Sequence, residues 1–308
     1  MLHFHLDTDF GGDPDDFAAL LMLLGMPEVR LTGITTVLDD KGLRAGAVKQ
    51  VLAHAGRDDI PLCAGARTGL TTNEKPGIRE DFWPDVIPFP ASEPGQSIGT
   101  LERSMWMRSA LALIGPYTNG AMFERVRAGL FLKRRVVHMG GFIEAPAPGF
   151  PPWTEADDFT VQFDIRAVEE LYSSFADITM VPMPVAMNAW ITDSDIDRIS
   201  RSGSLGSKLA DQLRSWSLEQ NWKETGQQHP ALPDDLAGIM WDPLTALIAT
   251  GWDGANTVQM TLTTEVEDGI LRFVDDETNG RPVDVVTDFD GDSFREVFLS
   301  AIERAQAD

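Results

Sequence analysis

The chain has 308 residues, 43% of them hydrophobic, enough to bury a sizeable core in one α/β domain spanning 1–308. Its net charge of −23, from 48 acids against 25 bases, argues against a nucleic acid polymer as partner. A lone cysteine, Cys63, excludes an intrachain disulfide and fits a cytoplasmic location, and the chain shows neither a signal peptide nor an apolar run of membrane-spanning length.

In chain order, Leu2 to Leu6 reads as a short strand. Asp15 to Gly25 has helical apolar spacing, with Pro14 at the first helical position and Asp13 as its N-cap. Val29 to Leu38 is β-branched and strand-like, Leu43 to Ala55 is an amphipathic helix, and Ile60 to Ala64 is a third strand. Residues 65 to 100 form a long excursion rich in Gly, Pro and Thr. Ala110 to Ile114 is a strand, followed by a turn and a helix from about Gly120. Arg135 to Met139 is a strand, and 142 to 158 is irregular. Ala167 to Phe175 reads as helix, Ile178 to Val185 as strand, and 193 to 225 as mostly helix. Asp242 to Thr250 is helical, strands lie near 257–266, 270–275 and 283–287, and a helix from about Ser293 closes the chain. Strands alternating with helices predict a single open, mainly parallel sheet flanked by helices, with a Rossmann-like core.

The densest chemistry lies between the first strand and the first helix. Asp7, Asp9, Asp13, Asp15 and Asp16 put five carboxylates in ten residues. That strand end is where open α/β sheets bind ligands. Carboxylates so close repel one another unless a cation intervenes, and Ca²⁺ accepts six to eight oxygen ligands. Helix capping would account for Asp13, Asp15 and Asp16 but not for Asp7 and Asp9. An EF-hand beginning at Asp7 would place Ala18 where a bidentate Glu is required, so that reading fails.

These residues resemble the inosine-uridine nucleoside hydrolase family. Asp7-Thr-Asp9-Phe-Gly11 and Asp15-Asp16-Phe-Ala-Ala-Leu are similar to the two halves of its signature, with about two extra residues between them. Further similarities follow in the family's order: Ile34-Thr-Thr-Val37 with Asp40, Gly115-Pro-Tyr-Thr118-Asn119, Met139-Gly140-Gly141, Asp158-Phe159-Thr160 with Asp164, and Trp241-Asp242-Pro243. The resemblance implies the family's fold, a Ca²⁺ ion, a free nucleoside as substrate, and a homodimer or homotetramer. It implies Asp9 as general base and metal ligand, with Asp16, Asp242 and the Ile114 carbonyl as further ligands. The insertion leaves Asp13 and Asp15 as alternatives for one more place. Asp7 and Asn119 would orient the ligands from behind, and Asp40, Asp158 and Thr160 would contact the ribose. Thr160 and Asp158 stand where the family has Asn and Glu, which opens a pyrimidine or other N-riboside as an alternative substrate.

Where one branch of the family has a histidine acid, this chain has Trp241, like the purine-preferring branch. Trp241 is expected to stack on the base, and Trp83 offers a second stacking face; ordinary core packing is the competing explanation for both. His229 is an alternative acid from a loop segment. A calcium- and nucleoside-binding protein without turnover is the reading from a different class.

Overall fold

The computed structural model describes residues 1–90, 95–132, 134–174 and 176–305. The elements in chain order are β1 (Leu2–Thr8), α1 (Asp15–Leu24), β2 (Val29–Thr36), α2 (Leu43–His54), β3 (Leu62–Ala64), α3 (Gln96–Trp106), β4 (Ala110–Leu113), α4 (Thr118–Val126) and β5 (Arg135–Met139). After a 3₁₀ turn at Glu155–Asp157 come α5 (Phe159–Phe163), α6 (Ile165–Tyr172), β6 (Asp177–Val181), α7 (Met183–Ala186), β7 (Trp190–Thr192), α8 (Asp193–Ser200), α9 (Gly203–Glu219) and α10 (Trp222–Gln228). The chain then forms β8 (Leu236–Ile239), α11 (Trp241–Ala249), β9 (Ala255–Glu267), β10 (Ile270–Asp275), β11 (Arg281–Phe289) and α12 (Gly291–Arg304).

One open nine-stranded sheet runs in the order β10-β9-β11-β6-β5-β4-β1-β2-β3. The seven strands from β11 to β3 are parallel, while β9 pairs antiparallel with both β11 and β10. The expectation of a mainly parallel open sheet holds. The run β3-β2-β1-β4-β5-β6 changes winding direction at β1, which has β2 on one side and β4 on the other. The crevice at the carboxyl end of β1 is therefore the topological switch point.

The central strands are buried on both faces, and their alternate residues feed two cores. Phe4, Leu6, Ala110, Ala112 and Val137 join the core that holds α1, α11 and α12. Leu111, Leu113, Val136, Ile178 and Met180 join the core on the other face. This is the period-two logic of a strand with covered faces. Helix α1 is buried almost all round, from Asp15 to Leu23, because it packs on the sheet and against both α11 and α12.

Several boundaries differ from expectation. The strand expected to reach Val185 stops at Val181, because Pro182 lacks an N–H for the ladder and the chain turns into α7. The helical stretch 193 to 225 is three helices, broken where Gly203 and Asn221 adopt φ of +81° and +53°. Helix α3 and the small antiparallel pair β7–β8 were not anticipated. The last residue of the helix expected over 167 to 175 lies outside the described residues. Asp13 is not the cap of α1: Pro14 occupies that position without a side-chain cap, which leaves the Asp13 carboxylate free to face other acids.

Candidate active site: a buried carboxylate cluster under a tryptophan wall

Strand β1 delivers Asp7 and Asp9 to the switch point, and α1 begins there with Asp15 and Asp16 in its first turn. From far along the chain, β8 leads through Met240 into α11, whose first turn carries Asp242. Met240 N donates to Ala189 O at 2.7 Å, which fixes that entry. The Asp242 backbone N–H in turn donates to Asp15 Oδ2 at 3.3 Å, joining the two helix starts. Carboxylate oxygens of Asp13, Asp15 and Asp16 lie within 4.8 Å of one another. The Asp16 carboxylate also accepts from the Thr8 hydroxyl.

The charges in this cluster act on each other. Burial is the first cause in every case, and it pushes Asp9 up to about 6 and Asp13, Asp15, Asp16 and Asp242 upward as well. Repulsion adds to it: Asp242 feels Asp15, Asp16, Asp13 and Asp9, and Asp16 feels Asp9 and Asp13. Two helix N-termini and one guanidinium offset only part of this. The guanidinium belongs to Arg44, which is buried and pulls Asp9, Asp13 and Asp16 back down.

Arg44 is the main support of this loop, and sequence reasoning missed it as one residue of an amphipathic helix. Its guanidinium donates to the carbonyls of Asp9 and Phe10, to Leu38 O at 3.2 Å and to Pro76 O at 3.1 Å. It thereby ties the aspartate loop to the ends of β2 and to the long excursion. Replacing Arg44 with methionine keeps the apolar stem but leaves these buried carbonyls unpaired. The expected cost is about 3 kcal/mol of stability, measured by denaturant melts, with weakened metal affinity measured by calorimetry.

Gly115 makes room for Asp9. A Cβ at that position would lie 2.6 Å from Asp9 Oδ1, 2.8 Å from Asp9 N and 2.9 Å from Val37 Cγ1. Asp9 N is backbone and cannot swing aside, and Val37 is fully buried. Gly115→Ala is therefore expected to displace Asp9 and to lower kcat/KM by about 10²-fold, as a misplacement near 1 Å does at a reacting centre. A steady-state assay on the folded variant checks this.

Asp7 stands behind the cluster. Its Oδ1 accepts from Asn119 Nδ2 at 2.7 Å and from the Thr35 hydroxyl, whereas its Oδ2 is buried without a partner among the described residues. Burial pushes Asp7 up to about 7. Because the Thr35 hydroxyl donates to Asp7, it accepts from His5 Nε2 at 3.0 Å, and His5 Nδ1 then accepts from Ser104 Oγ at 2.8 Å. Burial holds the His5 imidazole down to about 3, so it is neutral in this relay.

The carboxylates open into a cavity of about 430 Å³. Asp9, Asp13, Asp15, Ile114 and Asp242 line its floor, and Asp158 and Thr160 line another side. Asp158 is buried with its carboxylate committed to Gly141 N at 2.6 Å and Val161 N at 3.1 Å, and burial raises it to about 6. The apolar wall is made of Trp153, Trp216, Trp222 and Trp241. The Trp153 ring centroid lies 5.9 Å from that of Trp241 and 6.2 Å from that of Trp222. Of this wall, only Trp241 was anticipated.

Two expected contacts are corrected. Trp83 is not a stacking face: it is 2% exposed and packs with Phe10 at 5.2 Å and Phe17 at 5.4 Å between centroids. Its loop folds inward because those two rings flank the aspartate segment and need an apolar partner. Asp40 does not line the cavity either. It sits at the surface in ion pairs with Arg67 at 2.8 Å and Lys75 at 3.0 Å, which hold its carboxyl below the usual range. His229 ends α10 and does not line the cavity.

The carboxylates that line the cavity offer only hard oxygen donors, and they carry far more negative charge than Arg44 answers. They fit a hard divalent cation and not a soft transition metal.

Comparisons with known proteins bear on the family and the fold. Residues 4–296 match the family model described as inosine-uridine preferring nucleoside hydrolase. A protein named pyrimidine-specific ribonucleoside hydrolase RihA from Enterobacter sp. (strain 638) is 28% identical over 275 residues, covering 82% of this chain and 83% of its own. The protein of the same name from Shewanella sp. (strain ANA-3) is 32% identical over 216 residues, 63% of each chain. Among solved structures, a plant nucleoside hydrolase, PpNRh1, aligns with TM-score 0.79 at 19% identity, covering 100% of this chain and 99% of its own. A purine-preferring ribonucleoside hydrolase from Gardnerella vaginalis aligns with TM-score 0.77 at 19% identity, covering 99% of this chain and 100% of its own. The fold, the carboxylate-floored cavity and a family match across nearly the whole length lead to one conclusion: the chain belongs to the inosine-uridine preferring nucleoside hydrolase family and is a hydrolase of N-glycosyl compounds.

Proposed function

We propose that this enzyme is a calcium-dependent hydrolase of purine ribonucleosides, releasing ribose and the free base. The observation that carries the reading is the adjacency of Trp241 and Asp242 at the start of α11: one lines the aromatic wall, the other the carboxylate floor. A bicyclic base matches a wall of four indole rings, and a ribose diol matches a floor of hard oxygen donors.

Asp9, Asp16, Asp242 and the Ile114 carbonyl would hold the ion, with Asp13 and Asp15 both close enough to join them. Bound there, Ca²⁺ supplies Lewis-acid assistance and balances the carboxylate charge. The chain's own residues do the rest. Asp9, raised toward neutrality by burial, takes the proton of the attacking water. The remaining carboxylates favour the positive charge that gathers on the sugar as the glycosidic bond breaks. Trp241 stacks on the base and the wall keeps bulk water from it. Asp7, held by Thr35 and Asn119, orients the floor from below, and Thr160 faces the ribose side.

A panel of inosine, guanosine, uridine and cytidine compared by kcat/KM tests the substrate class; a clear uridine or cytidine preference would overturn the purine reading. That second reading has its own support in the curated relatives, which are named pyrimidine-specific. Family membership favours turnover over a binding-only protein. We also read the chain as a single cytoplasmic domain that assembles as a homodimer or homotetramer, which sedimentation would check.

A further inference from the structure

The opposite end of the sheet carries a second cavity, of about 490 Å³. It is lined at the strand starts by Leu2 of β1, Ala110 of β4 and Arg135 of β5. Strand β1 is seven residues long, so this cavity lies about 20 Å from the carboxylate floor at the strand's far end. Arg108, Arg134 and Arg135 all line it, and among the described residues no acid does.

Three arginines without an acid are unexpected in a chain of net charge −23. Elsewhere Arg57, Arg79, Arg125, Arg198, Arg214 and Arg272 each hold a carboxylate. None of the three cavity arginines has an ion pair among the described residues. Asp284, which acts on Arg135, does so from outside the lining. Fold maintenance accounts for part of two of them. Arg134 Nε donates to Met105 O at 3.0 Å, and Arg135 Nη2 donates to Ile248 O at 3.0 Å in the last turn of α11. A guanidinium has five N–H donors, so both keep most of theirs. The Arg108 side chain makes no hydrogen bond among the described residues.

The backbone at Arg108 adds a second observation. Arg108 N donates to Met105 O at 3.0 Å and Ser109 N to Ser104 O at 3.1 Å, the paired bonds of a Schellman turn that closes α3. Arg108 holds the left-handed position of that turn at φ +58°, where glycine is favoured. An arginine there carries backbone strain and stands among like charges, so local stability alone would select against it.

We propose that this cavity binds a phosphate dianion, free or carried on a small molecule, through Arg108, Arg134 and Arg135. Guanidinium forks match phosphate oxygens in pairs. Leu2, Leu132, Ala110 and Ala249 give the cavity apolar sides, and its volume exceeds that of the phosphate group, so a phosphate monoester fits as well as the free ion. The site is separate from the carboxylate floor and stands whether or not the nucleoside reading does.

Thermal melts of the protein with its bound cation test this, with inorganic phosphate and ribose 5-phosphate as separate ligands and sodium chloride at matched ionic strength as reference. At least one of the two is expected to raise the melting temperature saturably, by about 3 °C at tenfold excess over its Kd. The one that saturates at lower concentration identifies the source of the phosphate. Arg108→Gly removes the uncommitted guanidinium and relieves the left-handed strain. It should melt no lower than the parent without phosphate, yet bind either ligand about 10-fold more weakly or worse by calorimetry. Arg214→Gln, which removes a surface cation paired with Asp197 outside this cavity, should keep the parent affinity. No saturable effect of either ligand would overturn the proposal. So would binding that Arg108→Gly leaves unchanged, since the anion would then sit elsewhere, the active-site cation included. An equal loss in Arg108→Gly and Arg214→Gln would overturn it too, because it would show general charge attraction and not a site.

Discussion

Asp9→Asn is expected to lower kcat/KM by about 10³- to 10⁴-fold while the protein remains folded. Asparagine keeps the shape of the side chain, so the close approach of Gly115 to it is preserved. What it loses is the ability to accept a proton and a formal charge next to the sugar. The fall should appear mainly in kcat, because the tryptophan wall that binds the base is untouched. The same change should not destabilise the metal-free protein. Asp9 repels Asp16 and Asp242 across a buried floor, and removing one charge relieves that repulsion. A metal-free variant that melts at or above the parent temperature, yet is nearly inactive when loaded, would identify Asp9 as chemical and not architectural. Activity within tenfold of the parent would remove it from the role of base.

This pairing of effects also shows what was readable from the sequence. The aspartate segment was legible because its parts are contiguous: a strand end, a loop and a helix start, with acids that capping alone could not explain. Its place at a strand end, where open α/β sheets bind ligands, followed from the alternation of strands and helices, whereas its being the switch point required the strand order. Asp242 was reachable only through motif resemblance, because β8 brings it to Asp15 across 227 positions of chain. Trp216 and Trp222 lie on α9 and α10, and what directs them to the cavity is the break at Asn221, which spacing alone does not reveal. Trp83 misled for the opposite reason. Loops are generally exposed, but this one is drawn in by Phe10, by Phe17 and by the bond from Arg79 N to Gly11 O at 2.8 Å. Arg44 was invisible because a buried arginine serving backbone carbonyls carries no periodic signature.

Chelation of the bound ion is expected to lower the melting temperature at neutral pH by about 5 °C, the effect of a ligand held at about a hundredfold excess over its Kd. The sign follows from the floor of the cavity. Without a cation, Asp9, Asp13, Asp15, Asp16 and Asp242 have carboxyls raised above their ordinary values, so the folded chain binds more protons than the unfolded one. Stability from those groups is present below the unfolded value near 3.8 and is lost as pH rises through the raised folded values, about 6 for Asp9. The metal-free protein should therefore gain stability on going from pH 7 toward pH 4 as far as these groups control it. The loaded protein should move the other way, because protons compete with the ion for the same oxygens. The difference in melting temperature with and without chelator should shrink as pH falls, and readdition of Ca²⁺ at pH 7 should restore it. Mg²⁺ should restore less, since it demands near-octahedral geometry and holds its water, whereas a floor of this many carboxylates suits a larger ion. A melting temperature indifferent to chelator at every pH would show that the acids are balanced by protons alone, and would remove the ion from the account of this site.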